Sequence, residues 1–161
     1  MISPPVGANG VGLARLRIAA RGRLAVRGRV SVEPGVRVRV ARGARVVLED
    51  GARLGEGCRI EANGGTVRVG PGAELGARSV LVAEAGIDLG TGCVVGDWAM
   101  IADAEPTFDD PERPVRSQPL RAAPVRIGDG ARIGVHAIVQ ASIAPGELVG
   151  PYETRAPRSA S

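Results

Sequence analysis

The sequence predicts an all-β chain, wound as a solenoid of short strands joined by tight corners. Three observations predict it. Branched aliphatic residues recur every sixth position, at Leu48, Leu54, Ile60; Val69, Leu75, Leu81; Leu89, Val95, Ile101; and Ile127, Ile133, Val139. The residue after each is Gly in seven of these twelve places, where the overall Gly content would give about two. The fifth residue of the hexad is small in ten of the twelve. A period of six fits neither a helix, which repeats at 3.6, nor a meander with turns every 8 to 12 residues. Gly eases the bend, the small residue points inward at the corner, and three hexads close one triangular coil.

Taken in order, residues 1–12 are expected to form a flexible N-terminus and 13–150 a single β-helix domain. From Leu13 to Val47 the alternation in "VRVRV" (Val36 to Val40) marks strands with one wet face and suggests about two further, irregular coils. Asn63-Gly64 reads as a turn that resets the hexad phase before Val69. Ile101 and Ile127 lie 26 apart, so a loop insertion at 102–126 leaves the lattice. Its five Pro argue against a strand or helix and for an extended projecting arm. Long ordered loops in compact repeats are usually functional. Residues 151–161 read as a polar, frayed tail, the alternative being that Tyr152 and Arg155 supply polar contacts to a ligand groove.

Composition narrows the chemistry. The 161 residues hold 24 Gly and 12 Pro, too many for long helices, and one each of Phe, Trp and Tyr, so the core must be aliphatic. Two Cys and one His cannot make a four-ligand zinc site, and no metal is expected. Cys58 and Cys93 fall on the small fifth position and read as inward packing residues. No apolar run approaches the roughly 20 residues that span a bilayer, so the expectation is a cytoplasmic protein without membrane contact. Charge is uneven: Met1–Val47 carries ten Arg against Glu33, whereas Leu48–Glu112 carries four Arg against thirteen acids. A nucleic-acid partner is not expected, because aromatic platforms and a reading helix are lacking.

The hexads "LEDGARLGEGCRI", "VGPGAELGARSVL", "LGTGCVVGDWAMI" and "IGDGARIGVHAIV" resemble those of the hexapeptide-repeat family, whose fold is the left-handed parallel β-helix. "DDPERPVRSQ" followed by "PVRIGDGARIG" is similar to the sugar and antibiotic O-acetyltransferases of that family. The resemblance implies a homotrimer that moves an acetyl group from acetyl-CoA to a hydroxyl or amino group of a sugar or small metabolite. It also implies a catalytic His on the arm, but that place is taken by Pro106, which cannot be a base. Asp103 and Glu105 flank it and are the carboxylates able to accept a proton there. His136 is the only imidazole: it is either a surface residue on a coil face or a base lining the coenzyme groove. Gly134 and Val135 are where the resemblance places backbone contacts to the coenzyme. Arg132 stands where relatives often have Trp, and either meets coenzyme phosphates or faces solvent. Ser142 is a further polar candidate for the coenzyme site, and Trp98 reads as covering a coil face beside the arm. The alternative is a β-helix of the same ancestry without chemistry, serving as a scaffold or partner subunit.

Overall fold

The computed structural model describes residues 15–16 and 20–157; the expected N-terminal segment 1–12 lies outside them. The described residues form a left-handed parallel β-helix of six stacked coils with three faces, here A, B and C. Coil 1 holds β1 (Leu24–Val26), β2 (Ser31–Val32) and β3 (Arg37–Val40); coil 2 holds β4 (Arg45–Leu48), β5 (Arg53–Leu54) and β6 (Arg59–Ala62). Coil 3 holds β7 (Thr66–Val69), β8 (Glu74–Leu75) and β9 (Val80–Ala83); coil 4 holds β10 (Ile87–Leu89), β11 (Val94–Val95) and β12 (Met100–Ala102). The arm follows, with β13 (Ala104–Pro106) and β14 (Leu120–Ala122). Coil 5 then holds β15 (Val125–Ile127), β16 (Arg132–Ile133) and β17 (Ile138–Val139). Coil 6 has β18 (Leu148–Val149), β19 (Thr154–Arg155) and, on face A, an isolated bridge from Ile143 to Ile127.

The six-residue spacing becomes the core through parallel register. On face B, Val32, Leu54, Leu75, Val95, Ile133 and Val149 lie one above another. On face C the column is Val38, Ile60, Leu81, Ile101 and Val139. All twelve residues of the hexad phase are at most 3% exposed. Each such side chain contributes about 1.5–3 kcal/mol by leaving water. The small fifth residues close the corners. Ala52, Cys58, Ala73, Cys93, Ala99, Ala131 and Ala137 are fully buried, and each amide donates to the carbonyl three residues back, as in Cys58 to Gly55 at 3.1 Å. Burial pushes both Cys58 and Cys93 thiols up to about 12, which makes them packing groups rather than nucleophiles.

Three readings of the sequence are corrected. From Ala20 to Val47 there is one complete coil plus the first strand of the next, because coil 1 advances 22 residues per turn, as Val32 pairing with Leu54 shows. The arm is not strand-free: β13 and β14 pair antiparallel, with Pro106 opposite Leu120, and a short 3-10 turn spans Val115–Ser117. Proline is tolerated because a two-stranded ribbon leaves one edge of each strand without a partner. Nor are the described residues 151–157 of the expected tail frayed, since Thr154–Arg155 pairs with Ile138–Val139 as the third face of coil 6. There Arg155 takes the position that is aliphatic in the coils below. Glu147 and Glu153 take two fifth positions, and both carboxylates bind Arg155, Glu147 at 2.7 Å. A solenoid end needs such a polar cover over its aliphatic column. Among the described residues no helix is long and apolar enough to cross a membrane.

Candidate functional site

The corner between faces B and C carries the unusual chemistry. Each coil turns there through a residue with left-handed backbone: Gly35, Gly57, Arg78, Trp98, His136 and Tyr152, with φ between 55° and 79°. Their amides climb the corner in a ladder, Trp98 donating to Ala77 O, His136 to Asp97 O and Tyr152 to Val135 O, each at 3.0 Å. The ladder aligns the side chains. The Arg78 guanidinium lies 5.4 Å from the Trp98 ring centre, Trp98 stacks on His136 at 6.0 Å and 5°, and His136 on Tyr152 at 4.9 Å and 7°. Trp98 and Tyr152 remain 55% and 73% exposed, so this row is a surface feature and not core.

Beside the row runs a trough floored by Gly55, Gly76, Gly96 and Gly134. These glycines are required by space: a Cβ on Gly96 would sit 2.7 Å from Val135 N, and one on Gly134 2.5 Å from Pro151 N. The adjoining groove has a volume of about 400 Å³ and is lined by Arg53, Glu74, Val94, Asp97 and Val135, among others. Asp97 is held by accepting the Ala77 amide at 2.9 Å. The next two coils place Val135 and Pro151 where Asp97 stands, and neither has a carboxylate to offer. Among the described residues the Asp97 and Val135 amides therefore have no acceptor. They are donors left free beside the trough.

The predicted site residues fall into three places. His136, Gly134 and Val135 are together at the corner, and Arg132 is exposed on the outer side of β16, in register with Val94 and Leu148. Asp103 is 5% exposed at the root of the arm, where its carboxylate accepts the amides of Glu84, Ala85 and Gly86 at 2.7, 2.8 and 2.6 Å. It is an anchor, with both oxygens engaged. Glu105 lies in β13 opposite Arg121, with no cation within 4.0 Å among the described residues, and lines a small cavity of about 60 Å³ with Arg121 and Gln140. Face C separates it from His136. Ser142 lies beyond the same arm-side edge, where its Oγ accepts the Arg126 amide at 3.0 Å. Trp98 and Tyr152, read from sequence as a face cover and a tail residue, are instead members of the stacked row. Sequence reasoning also missed Gln118, 7% exposed, whose amide group braces the arm by donating to Arg113 O at 2.9 Å and accepting from Asp110 N at 3.3 Å.

Known proteins share this repeat and this fold. A family model described as the hexapeptide repeat of succinyl-transferase matches residues 42–63 and 66–96. A Mycobacterium tuberculosis protein named "Probable acetyltransferase" is 33% identical over 82 residues, 51% of this chain. The match spans 27% of that protein's length. A crystal structure of a single-site variant of AntD, an N-acyltransferase from Bacillus cereus, in complex with dTDP-4-amino-4,6-dideoxyglucose and coenzyme A, superposes with a TM-score of 0.68. It shares 15% identity, with 92% of this chain and 80% of that one covered.

Proposed function

We propose that the chain is a member of the hexapeptide-repeat family and, from that premise, an acyltransferase. Acetyl-CoA or a similar acyl-CoA is the donor, and the acceptor is a hydroxyl or amino group of a sugar or small metabolite. The observation that carries this reading is the glycine-floored trough with His136 at its rim and two unpaired amides beside it. The pantetheine chain is thin enough to lie along backbone that no side chain covers, and Val135 N–H is a donor for its carbonyls. His136 takes the proton as the acceptor oxygen or nitrogen attacks the thioester carbon. The carbonyl oxygen gains the charge, and the Asp97 or Val135 amide stabilises it. On collapse the C–S bond breaks, the thiolate takes the proton back from the imidazole, and an ester or amide and coenzyme A leave.

The assembly we propose is a homotrimer working in the cytoplasm. Its support is the arm's exposed Phe108, Val115 and Leu120, together with exposed Met100 and Ile138 on face C, apolar surface that a neighbouring copy covers. Arg132 would meet the coenzyme phosphates, and Ser142 keeps only a structural hydrogen bond.

One observation favours the scaffold reading. Among the described residues His136 has no side-chain hydrogen bond to orient it, only the two rings that sandwich it. Calorimetric titration with acetyl-CoA, followed by detection of released thiol with amino and hydroxyl sugars, separates the two. Saturable binding in the trough and thiol release weakened by His136→Ala support the enzyme; no binding supports the scaffold.

A further inference from the structure

We propose a second binding site, for the phosphate group of a small-molecule ligand, in the groove that Arg37, Arg59 and Arg78 line on coils 1 to 3. The groove has a volume of about 470 Å³, with Glu56 the one carboxylate among its lining residues. Its three guanidinium groups against that carboxylate leave a net charge of +2, the complement of a phosphate ester.

The arrangement is electrostatically unsatisfied as it stands. Arg37 and Arg59 are direct register partners on neighbouring strands of face C, which lie about 4.8 Å apart. Like charges directly opposite one another repel. Among the described residues the one carboxylate within 4.0 Å of any of the three is Glu61, 3.7 Å from Arg59 and belonging to the same strand. Arg37 and Arg78 have none. An anion between them converts the repulsion into attraction.

The third arginine is held in place by its backbone and by a ring. Coils 1 and 2 turn this corner with Gly35 and Gly57; coil 3 places Arg78 in the same left-handed conformation, at φ 55°. Its guanidinium carbon lies 5.4 Å from the Trp98 ring centre, a cation–π contact that holds the side chain at the groove without using up a carboxylate partner. Gly35 and Gly57 line the groove without side chains of their own. Guanidinium forks bind phosphate oxygens two at a time, and the three here come from three successive coils, a spacing suited to an extended phosphate or diphosphate.

The proposal does not rest on the acyl-transfer reading, since a catalytically silent helix would bind the same group. Isothermal titration of inorganic pyrophosphate into the full chain tests it. One site per chain is expected, weakening as salt rises and at least tenfold in the Arg37→Gln/Arg59→Gln double variant. Arg45→Gln, on face A, should stay within twofold of the parent. No saturable heat, or equal weakening by Arg45→Gln, overturns the proposal. Should the double variant fail to fold, Arg59→Gln alone carries the same test with the same outcomes. Competition then identifies the carrier. Displacement of pyrophosphate by a nucleoside diphosphate assigns the groove to an acceptor, displacement by coenzyme A assigns it to the donor, and displacement by neither overturns the assignment to an organic phosphate.

Discussion

The corner between faces A and B and the corner between faces B and C make the same turn with different residues. At the first, all six coils place glycine in the left-handed position: Gly28, Gly51, Gly72, Gly92, Gly130 and Gly146. At the second, two glycines give way to Arg78, Trp98, His136 and Tyr152. A side chain in that conformation costs about 1–2 kcal/mol. Each stacked pair returns roughly 0.5–1.5 kcal/mol, and the exposed cation–π contact roughly 0.5–1 kcal/mol. Four strained residues joined by three contacts therefore remain a net cost. The A–B corner shows what folding alone requires; the B–C corner shows an outlay that packing does not recover, the pattern of a functional surface.

The comparison can be broken most sharply at His136. Replacing it with Ala should lower acyl transfer at least ~100-fold, while Gly130→Ala on the other corner of the same coil should leave kcat unchanged. Steady-state thiol release checks both. Equal losses would erase the distinction between the corners.

Next in size is the trough floor. Gly96→Ala pushes a methyl against Val135 N at 2.7 Å, where backbone must move, and should cost about 3 kcal/mol in urea unfolding. Gly92→Ala, at the A–B corner, meets no atom within 4 Å but keeps φ +65°, so only the backbone term of about 1 kcal/mol applies. A ring grafted there, Gly92→Trp, should cost about 1–2 kcal/mol. Trp98→Gly should be nearly neutral, since relief of strain offsets the lost stacking. If Trp98→Gly proves strongly destabilising, the row is structural.

The smallest effect concerns coil 6, where Arg155 ties the two corners through Glu147 and Glu153. Glu147 is held below its usual 4.5 by the Ala144 amide and then by Arg155. Glu153 is held below it by Arg155 and then by the Gly150 amide. Because the folded values lie under the unfolded ones, the stabilisation is complete above 4.5 and fades as pH falls through the depressed values. Glu147→Gln/Glu153→Gln should thus unfold at lower urea than the parent at pH 7, with the gap closing as the pH falls below 4.5. A gap constant with pH would show that the pair does not cap the helix electrostatically.

How far the site could be read from sequence differs residue by residue. The glycines after Leu54, Leu75, Val95 and Ile133 were a usable signal for the trough, because each follows the middle aliphatic of a hexad triplet, the one that falls on face B in every coil. In contrast, Ile60, Leu81, Ile101 and Val139 are never followed by Gly, a signal that the corner after face C is irregular and the place for the arm. Asp103 misled, since an acid in an arm looks available until three amides are found on it. Coil 6 was hidden because Glu147, Glu153 and Arg155 replace the hexad's small and aliphatic residues where the helix ends.

By itself the sequence determined the coil: a side chain's burial depends on its position modulo six, and that is local information. Only the tertiary structure decided which side chains stack. Neighbours in the row are 20, 38 and 16 residues apart, from Arg78 to Trp98, to His136 and to Tyr152. Those separations follow no period, because the arm and the uneven third corner lengthen some coils and shorten others. Interstrand hydrogen bonds restore the register across them, and it is that register, not chain distance, that sets one ring upon the next.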